Sequence, residues 1–167
     1  DVLIECDTGQ KRAGVEDPKE AANLVQSIIQ DNWLKFSGLL YYPPLNGWNN
    51  TQVFHNSLTK MLDELKAKAK IISTGGTPNF ANIGKLTGAT EHRAGTCIFN
   101  DMMMVEDGFA QITDCAFRVF TSVVSRANDD RGILDAGSKT LTSDTGGLQG
   151  YGYITEYPEA KIIKFSE

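Results

Sequence analysis

Short apolar runs and longer stretches of helical spacing take turns along the first two thirds of the chain. Val2-Leu3-Ile4-Glu5-Cys6 is mostly apolar, as expected of a strand covered on both faces. A turn with Gly9 and Gly14 follows, and Asp17-Pro18-Lys19-Glu20 reads as a helix start. It has an N-cap aspartate, proline at the first helical position and a glutamate three residues after the cap. Ala21, Leu24, Val25, Ile28 and Ile29 lie at helical spacing and predict one buried face. Residues 34–42 predict a second strand, stopped by Pro43-Pro44 and turned at Asn46-Gly47. A longer helix is predicted from about residue 51 to 68, with Phe54, Leu58, Met61, Leu62 and Leu65 as its stripe. Lys60, Glu64 and Lys68 fall on its wet side at four-residue charge spacing. Residues 70–74 predict a third strand, 80–86 a short helix, 93–99 a fourth strand and 101–106 a further helix. Four strand–helix units in series point to a parallel sheet.

After Gly108 the period changes. Cys115, Phe117, Val119, Thr121, Val123 and Ser125 alternate with their neighbours and predict a long strand. Residues 131–135, 151–157 and 161–165 predict further strands, with turn clusters at Asn128-Asp129-Asp130 and Asp144-Thr145-Gly146-Gly147. An antiparallel module is expected beyond a boundary near residue 110. The first residue is Asp1 rather than Met, and the last apolar run, 162–165, has no turn after it. Both ends read as cut from inside folded structure.

Composition narrows the function. The 167 residues carry 16 Lys+Arg against 21 Asp+Glu, a net charge of -5 with no basic run, which argues against binding nucleic acid by phosphate neutralisation. No apolar run approaches a membrane span, and no secretory signal opens the sequence. Cys6, Cys97 and Cys115 are odd in number and far apart, which suits free thiols in a reducing, cytoplasmic setting better than a disulfide framework.

Candidate chemistry sits where strands end and loops begin. These places are residues 7–14, Tyr41-Tyr42-Pro43-Pro44, Ser73-Thr74-Gly75-Gly76-Thr77 and Arg93-Ala94-Gly95-Thr96, the last at the start of its predicted strand. The glycine pair at 75–76 would let backbone approach an anion, with the Thr77 hydroxyl and the following helix start beside it. An ordinary strand-to-helix turn explains the same pattern. Arg12 reads equally as a solvated arginine, Arg93 as a boundary ion-pair partner, Tyr42 as a packing ring and His55 as a surface or boundary histidine. His55 and His92 are the whole histidine inventory, so no metal site is expected within the chain. No nucleophile elbow is present.

Taken in order, these motifs resemble the alanine racemase-type barrel family of pyridoxal-phosphate enzymes, in particular its D-threonine aldolase and D-serine dehydratase branch. Asp7-Thr8-Gly9-Gln10-Lys11-Arg12-Ala13-Gly14-Val15 resembles the family's fifth-strand motif D-x-G-x-x-R-x-G, and residues 34–42 its sixth strand with a recurrent tyrosine at Tyr42. Ser73-Thr74-Gly75-Gly76-Thr77-Pro78 resembles the seventh-strand glycine loop, and residues 91–101 the eighth strand, E-x-R-x-G-x-Y-x-x-x-D. Val123-Val124-Ser125-Arg126 and Asp135-Ala136-Gly137-Ser138-Lys139 resemble the opening of the β-domain. Lys11 departs from a usual small residue and Cys97 from a usual aromatic.

The resemblance implies an α/β architecture. Residues 1–110 would be the second half of a (β/α)8 barrel, strands 5–8 with their helices, and residues 111–167 the start of an antiparallel β-domain. It implies a lyase of D-β-hydroxy amino acids that uses pyridoxal 5′-phosphate. Arg12, Tyr42, Gly75, Gly76, Thr77, Arg93, Gly95 and Thr96 would bind the cofactor. Gly75, Gly76, Thr77, Gly95 and Thr96 would serve the phosphate, and Arg93 would face the pyridine nitrogen. The family's Schiff-base lysine belongs to the first strand and its divalent metal ligands lie after residue 167, so the chain alone is expected to be inactive. A homodimer, or pairing with the missing half, is implied, with a small amino acid as substrate. An amino-acid racemase of the same fold and a non-catalytic binder of a phosphate ligand remain the alternatives.

Overall fold

The computed structural model describes residues 1–164 and 166. It divides into two compact units, Asp1–Cys97 and Ile98–Glu167.

The first unit is a four-stranded parallel sheet with helices against one face. Its strands are β1 (Val2–Cys6), β2 (Phe36–Tyr41), β3 (Ile71–Gly75) and β4 (Glu91–Arg93), in the order β1-β2-β3-β4. Helix α1 spans Pro18–Gln30 and α2 spans Trp48–Glu64. The core lies between sheet and helices and includes Ile4, Cys6, Leu39 and Tyr41 from the strands, with Ala21, Val25, Phe54, Leu58 and Leu62 from the helices.

Most predicted elements are present, with shifted ends. Asp17 caps α1 by accepting a bond from Lys19 N–H, as its sequence signature requires. Leu24 and Ile29, expected in the buried face, are exposed at its two margins, and Ala22 is buried instead. The second strand starts at Phe36 rather than residue 34. The Asp31 carboxylate accepts from the N–H groups of Trp33 and Leu34, a local turn that competes with the ladder. Helix α2 begins at Trp48, three residues early, and stops at Glu64 rather than 68. Lys66 takes a left-handed φ of 54°, and Ala67 N–H closes back onto Leu62 O at 2.8 Å, a C-terminal motif usually built on glycine. The segment predicted as helix over 80–86 is a 3-10 helix over Thr77–Lys85.

The fourth strand is the largest correction in this unit. It covers Glu91–Arg93, not 93–99, and a 3-10 turn follows at Thr96–Ile98. The apolar run that suggested a longer strand is exposed, with Ile98 and Phe99 uncovered. Arg93 therefore ends a strand instead of starting one.

In the second unit, helix α3 (Met102–Glu106) is capped by Asp101, and strands β5 (Val123–Asn128) and β6 (Arg131–Leu134) form an antiparallel hairpin. The long strand predicted from Cys115 is absent before Val123. Phe117 and Phe120 are exposed, and an alternating segment settles into a strand only where another strand pairs with it. Of the strands predicted at 151–157 and 161–165, the described residues show one antiparallel bridge, Tyr153 to Lys161. Residue 165 lies outside the described residues.

Candidate functional site

Four parallel strands present their carboxyl ends along one edge, so Asp7, Tyr42, Gly75 and Arg93 arrive side by side. Register also separates the faces. Leu40 pairs with Ser73, and Gly75 with Arg93, which puts these residues on the face away from α1 and α2. Leu39, Tyr41, Thr74 and His92 fall on the helix-covered face.

The loop after β1 is organised by Asp7, itself buried. Its carboxylate accepts from Gly9 N–H at 2.9 Å and Arg12 N–H at 2.7 Å. Gly14, with φ 109°, lies against β1, where a Cβ would come 2.8 Å from Glu5 O. The loop returns to pair at Val15 with β1, through Asp7 N–H to Val15 O at 2.9 Å. Burial drives the Asp7 carboxyl upward, and the N–H groups of Gly9, Arg12, Lys11 and Gln10 outweigh it, leaving it below the usual carboxylate range. A carboxyl lowered by folding adds stability above its unfolded value, and this is lost as pH falls through the folded value. Between pH 5 and pH 2, wild-type stability in urea is therefore expected to fall more steeply than that of Asp7→Asn. Equal slopes would contradict this.

The loop holds the Arg12 guanidinium 4.9 Å from the centroid of the Tyr42 ring, a cation–π distance. Tyr42 in turn lies against the glycine pair. A Cβ on Gly75 would stand 3.2 Å from Tyr42 Cδ2 and 2.9 Å from Arg93 Nη2. A Cβ on Gly76, whose φ is 104°, would stand 3.2 Å from the Tyr42 hydroxyl oxygen. The two glycines thus let a tyrosine and an arginine close over them.

Arg93 is anchored by donating from Nη1 to Ser73 Oγ and from Nη2 to the Tyr41 carbonyl at 3.2 Å. Ser73 is fully buried. No ion pair holds Arg93 among the described residues; the pair present is Lys35 with Asp1. The glycine loop and the loop after β4 meet directly. Gly76 N–H donates to Arg93 O at 3.0 Å and Cys97 N–H to Thr77 Oγ1 at 3.3 Å. Gly76 therefore brings conformational freedom to the site rather than its N–H, which the sheet already uses. The Thr77 hydroxyl hydrogen stays available. Gly95 and Thr96 are exposed, with open space where a Gly95 Cβ would stand.

Sequence reasoning missed two residues behind this edge. Asn79, buried, accepts from Trp48 Nε1–H at 3.0 Å and donates to Pro43 O at 2.7 Å. It ties the second loop to the third. His92 bonds Thr74 and Gly76. Both are polar residues beside glycine turns, a signal too common to single them out. His55 is also corrected. It is buried, with Nδ1 3.1 Å from the Tyr41 hydroxyl, and burial lowers its pKa. Burial likewise pushes the nearby Cys6 thiol up to about 12. These are neutral groups of the covered layer, remote in chemistry from a charged ligand.

Among the described residues no three His, Cys, Asp or Glu side chains gather to hold a metal, and no helix is long and apolar enough to cross a membrane. A hollow of about 360 Å³ lined by Thr145, Leu148, Tyr151 and Lys161 belongs wholly to the second unit.

Comparison with known proteins agrees with the resemblance drawn from the sequence. Residues 116–167 match the family model described as "Putative serine dehydratase domain". The chain is 26% identical to D-threo-3-hydroxyaspartate dehydratase of Delftia sp. (strain HT23), over 93% of the chain and 46% of that protein. It is 26% identical to D-threonine aldolase of Arthrobacter sp., over 87% of the chain and 42% of that protein. The crystal structure of D-threonine aldolase from Filomicrobium marinum superposes with a TM-score of 0.80 at 22% identity, over 99% of the chain and 47% of that structure. The chain spans about half the length of the curated relatives it matches. It resembles the D-threonine aldolase and D-serine dehydratase branch over most of its own length, and it shares the fold of the solved aldolase.

Proposed function

We propose that the chain supplies the phosphate- and ring-nitrogen-binding part of a pyridoxal 5′-phosphate lyase acting on D-β-hydroxy amino acids, of aldolase or dehydratase type. The observation that carries this reading is the junction of residues 75–77 with residues 93–96 at the carboxyl edge of a parallel sheet. Barrel enzymes often build a phosphate site after their last two strands. On this reading residues 1–110 are the second half of a (β/α)8 barrel and residues 111–167 open a β-domain.

The donor set suits the cofactor. Thr77 offers a hydroxyl and the N–H at a helix start, a favoured position for an anion. Gly95 and Thr96 add unobstructed backbone and a second hydroxyl. Arg93 is permanently cationic and rigidly tethered, so it can donate to a pyridine nitrogen but cannot take up its proton. Pyridoxal phosphate, when bound, supplies an electron sink whose strength the protein sets through that nitrogen. An arginine partner keeps the nitrogen unprotonated and the sink weak. Tyr42 and Arg12 would border the ring, with the Arg12 charge turned toward an anionic substrate. The Schiff-base lysine and the ligands of a divalent metal would come from sequence outside these 167 residues, so this chain alone is expected to bind without turning over substrate. The free thiols fit a cytoplasmic setting.

The outer edge of β4 has no partner strand among the described residues, and unpaired edges favour association. A homodimer, or pairing with the remaining barrel strands, would cover it. Calorimetric titration should show one pyridoxal 5′-phosphate per chain, displaced by inorganic phosphate, in a sample that sediments as more than a monomer. Absence of binding would overturn the cofactor reading. A soluble monomer would overturn the pairing.

A further inference from the structure

We infer that His92 is a positioning residue that aims the Thr77 N–H at the phosphate; this rests on the cofactor reading above. His92 Nε2 lies 3.0 Å from Gly76 O, and its Nδ1 lies 2.7 Å from Thr74 Oγ1. A carbonyl only accepts, so the Nε2–H donates to Gly76 O, and Nδ1 accepts the hydrogen bond of the Thr74 hydroxyl, whose other acceptor, Glu91 O, is farther away at 3.4 Å. That assignment follows from the hydrogen-bond network. Gly76 O also accepts from Asn79 N–H at 3.0 Å, so it is held from two sides. The Phe80 ring meets the imidazole edge-on at 6.1 Å between centroids.

The consequence is geometric. Gly76 O and Thr77 N–H belong to one planar trans peptide, in which C=O and N–H point in opposite directions. Pinning the carbonyl toward His92 and Asn79 turns the Thr77 N–H the other way. Gly76 has a φ of 104° and no side chain of its own to fix this peptide. Neighbouring strand residues face opposite sides of a sheet. A three-residue strand, β4, therefore presents Arg93 on the site face and His92 behind it, and one element sets both ends of the ligand.

The test compares His92→Phe with His92→Gln in the whole chain. Phenylalanine keeps the contact with Phe80 and loses both hydrogen bonds. Glutamine can donate to Gly76 O and accept from Thr74. Calorimetry with pyridoxal 5′-phosphate should show about a tenfold loss of affinity for His92→Phe, the size of one lost charge-assisted bond, and recovery in His92→Gln. Binding of pyridoxal, which lacks the phosphate, should be the same in all three proteins. Equal losses for both ligands would mean that His92 only supports the fold and would overturn the inference. Unchanged phosphate-ester affinity in His92→Phe would overturn it while leaving the cofactor reading intact. If the unsubstituted chain binds neither ligand, the cofactor reading itself fails and the inference goes with it.

Discussion

Gly38→Ala is expected to unfold most of the first unit at moderate urea, with a loss of about 3 kcal/mol or more, at the upper end for overpacking. Gly38 sits in the middle of β2, paired with Leu3 on one side and Ile71 on the other. A Cβ there would run into the Ile71 carbonyl oxygen and lie 2.7 Å from the carbonyl carbon. Those atoms are backbone and cannot swing aside as a side-chain tip can. The methyl group must separate β2 from β3, and with them the loops that carry Tyr42 and Gly75. Far-UV circular dichroism through a urea titration measures the effect. A midpoint within error of the wild type would show that β2 and β3 are not in this register.

Arg93→Met is expected to lose ligand binding and stability together. The substitution removes the donor to the buried Ser73 hydroxyl and the donor to the Tyr41 carbonyl. Leaving buried groups without a partner costs about 1–3 kcal/mol. Affinity for pyridoxal 5′-phosphate should fall by about a hundredfold, since a bond to a charged donor is worth up to about 3 kcal/mol. Arg93→Lys should recover little of either. An ammonium keeps the charge but lacks the planar fork that reaches two acceptors and a ligand at once. Thermal melts and calorimetry on the two variants separate the terms. Full affinity in a stable Arg93→Met protein would remove Arg93 from the site.

The first unit was largely legible because its elements announce themselves locally. Asp17-Pro18 marks a helix start, and Val2–Cys6 is apolar but for Glu5, the composition of a strand in a parallel sheet. The errors fall where tertiary context overrides pattern. Cys97, Ile98 and Phe99 read as strand because they are apolar, yet they follow Gly95 into a turn and stay exposed. His55 read as a boundary residue because histidine is polar, yet Tyr41 on the facing strand gives it a buried partner that no spacing along the chain reveals. The alternation from Cys115 onward is real, but a strand needs a neighbour, and before Val123 no strand among the described residues is paired with it.

The candidate site was legible as parts and not as an assembly. Residues 75–77 and 93–96 stood out separately by glycine content and by order along the chain. Their meeting depends on the pairing of β3 with β4, which follows from a fold rather than from either segment. His92 and Asn79 were invisible because their work is done through carbonyls of other residues, Gly76 and Pro43, distant in sequence or hidden by a turn.

A crystal structure of the chain with pyridoxal 5′-phosphate tests the central claim most directly. The account predicts phosphate oxygens within hydrogen-bond reach of Thr77, Gly95 and Thr96, with the ring nitrogen facing the Arg93 guanidinium. Density for the ligand at any other place, or a nitrogen turned away from Arg93, would contradict it.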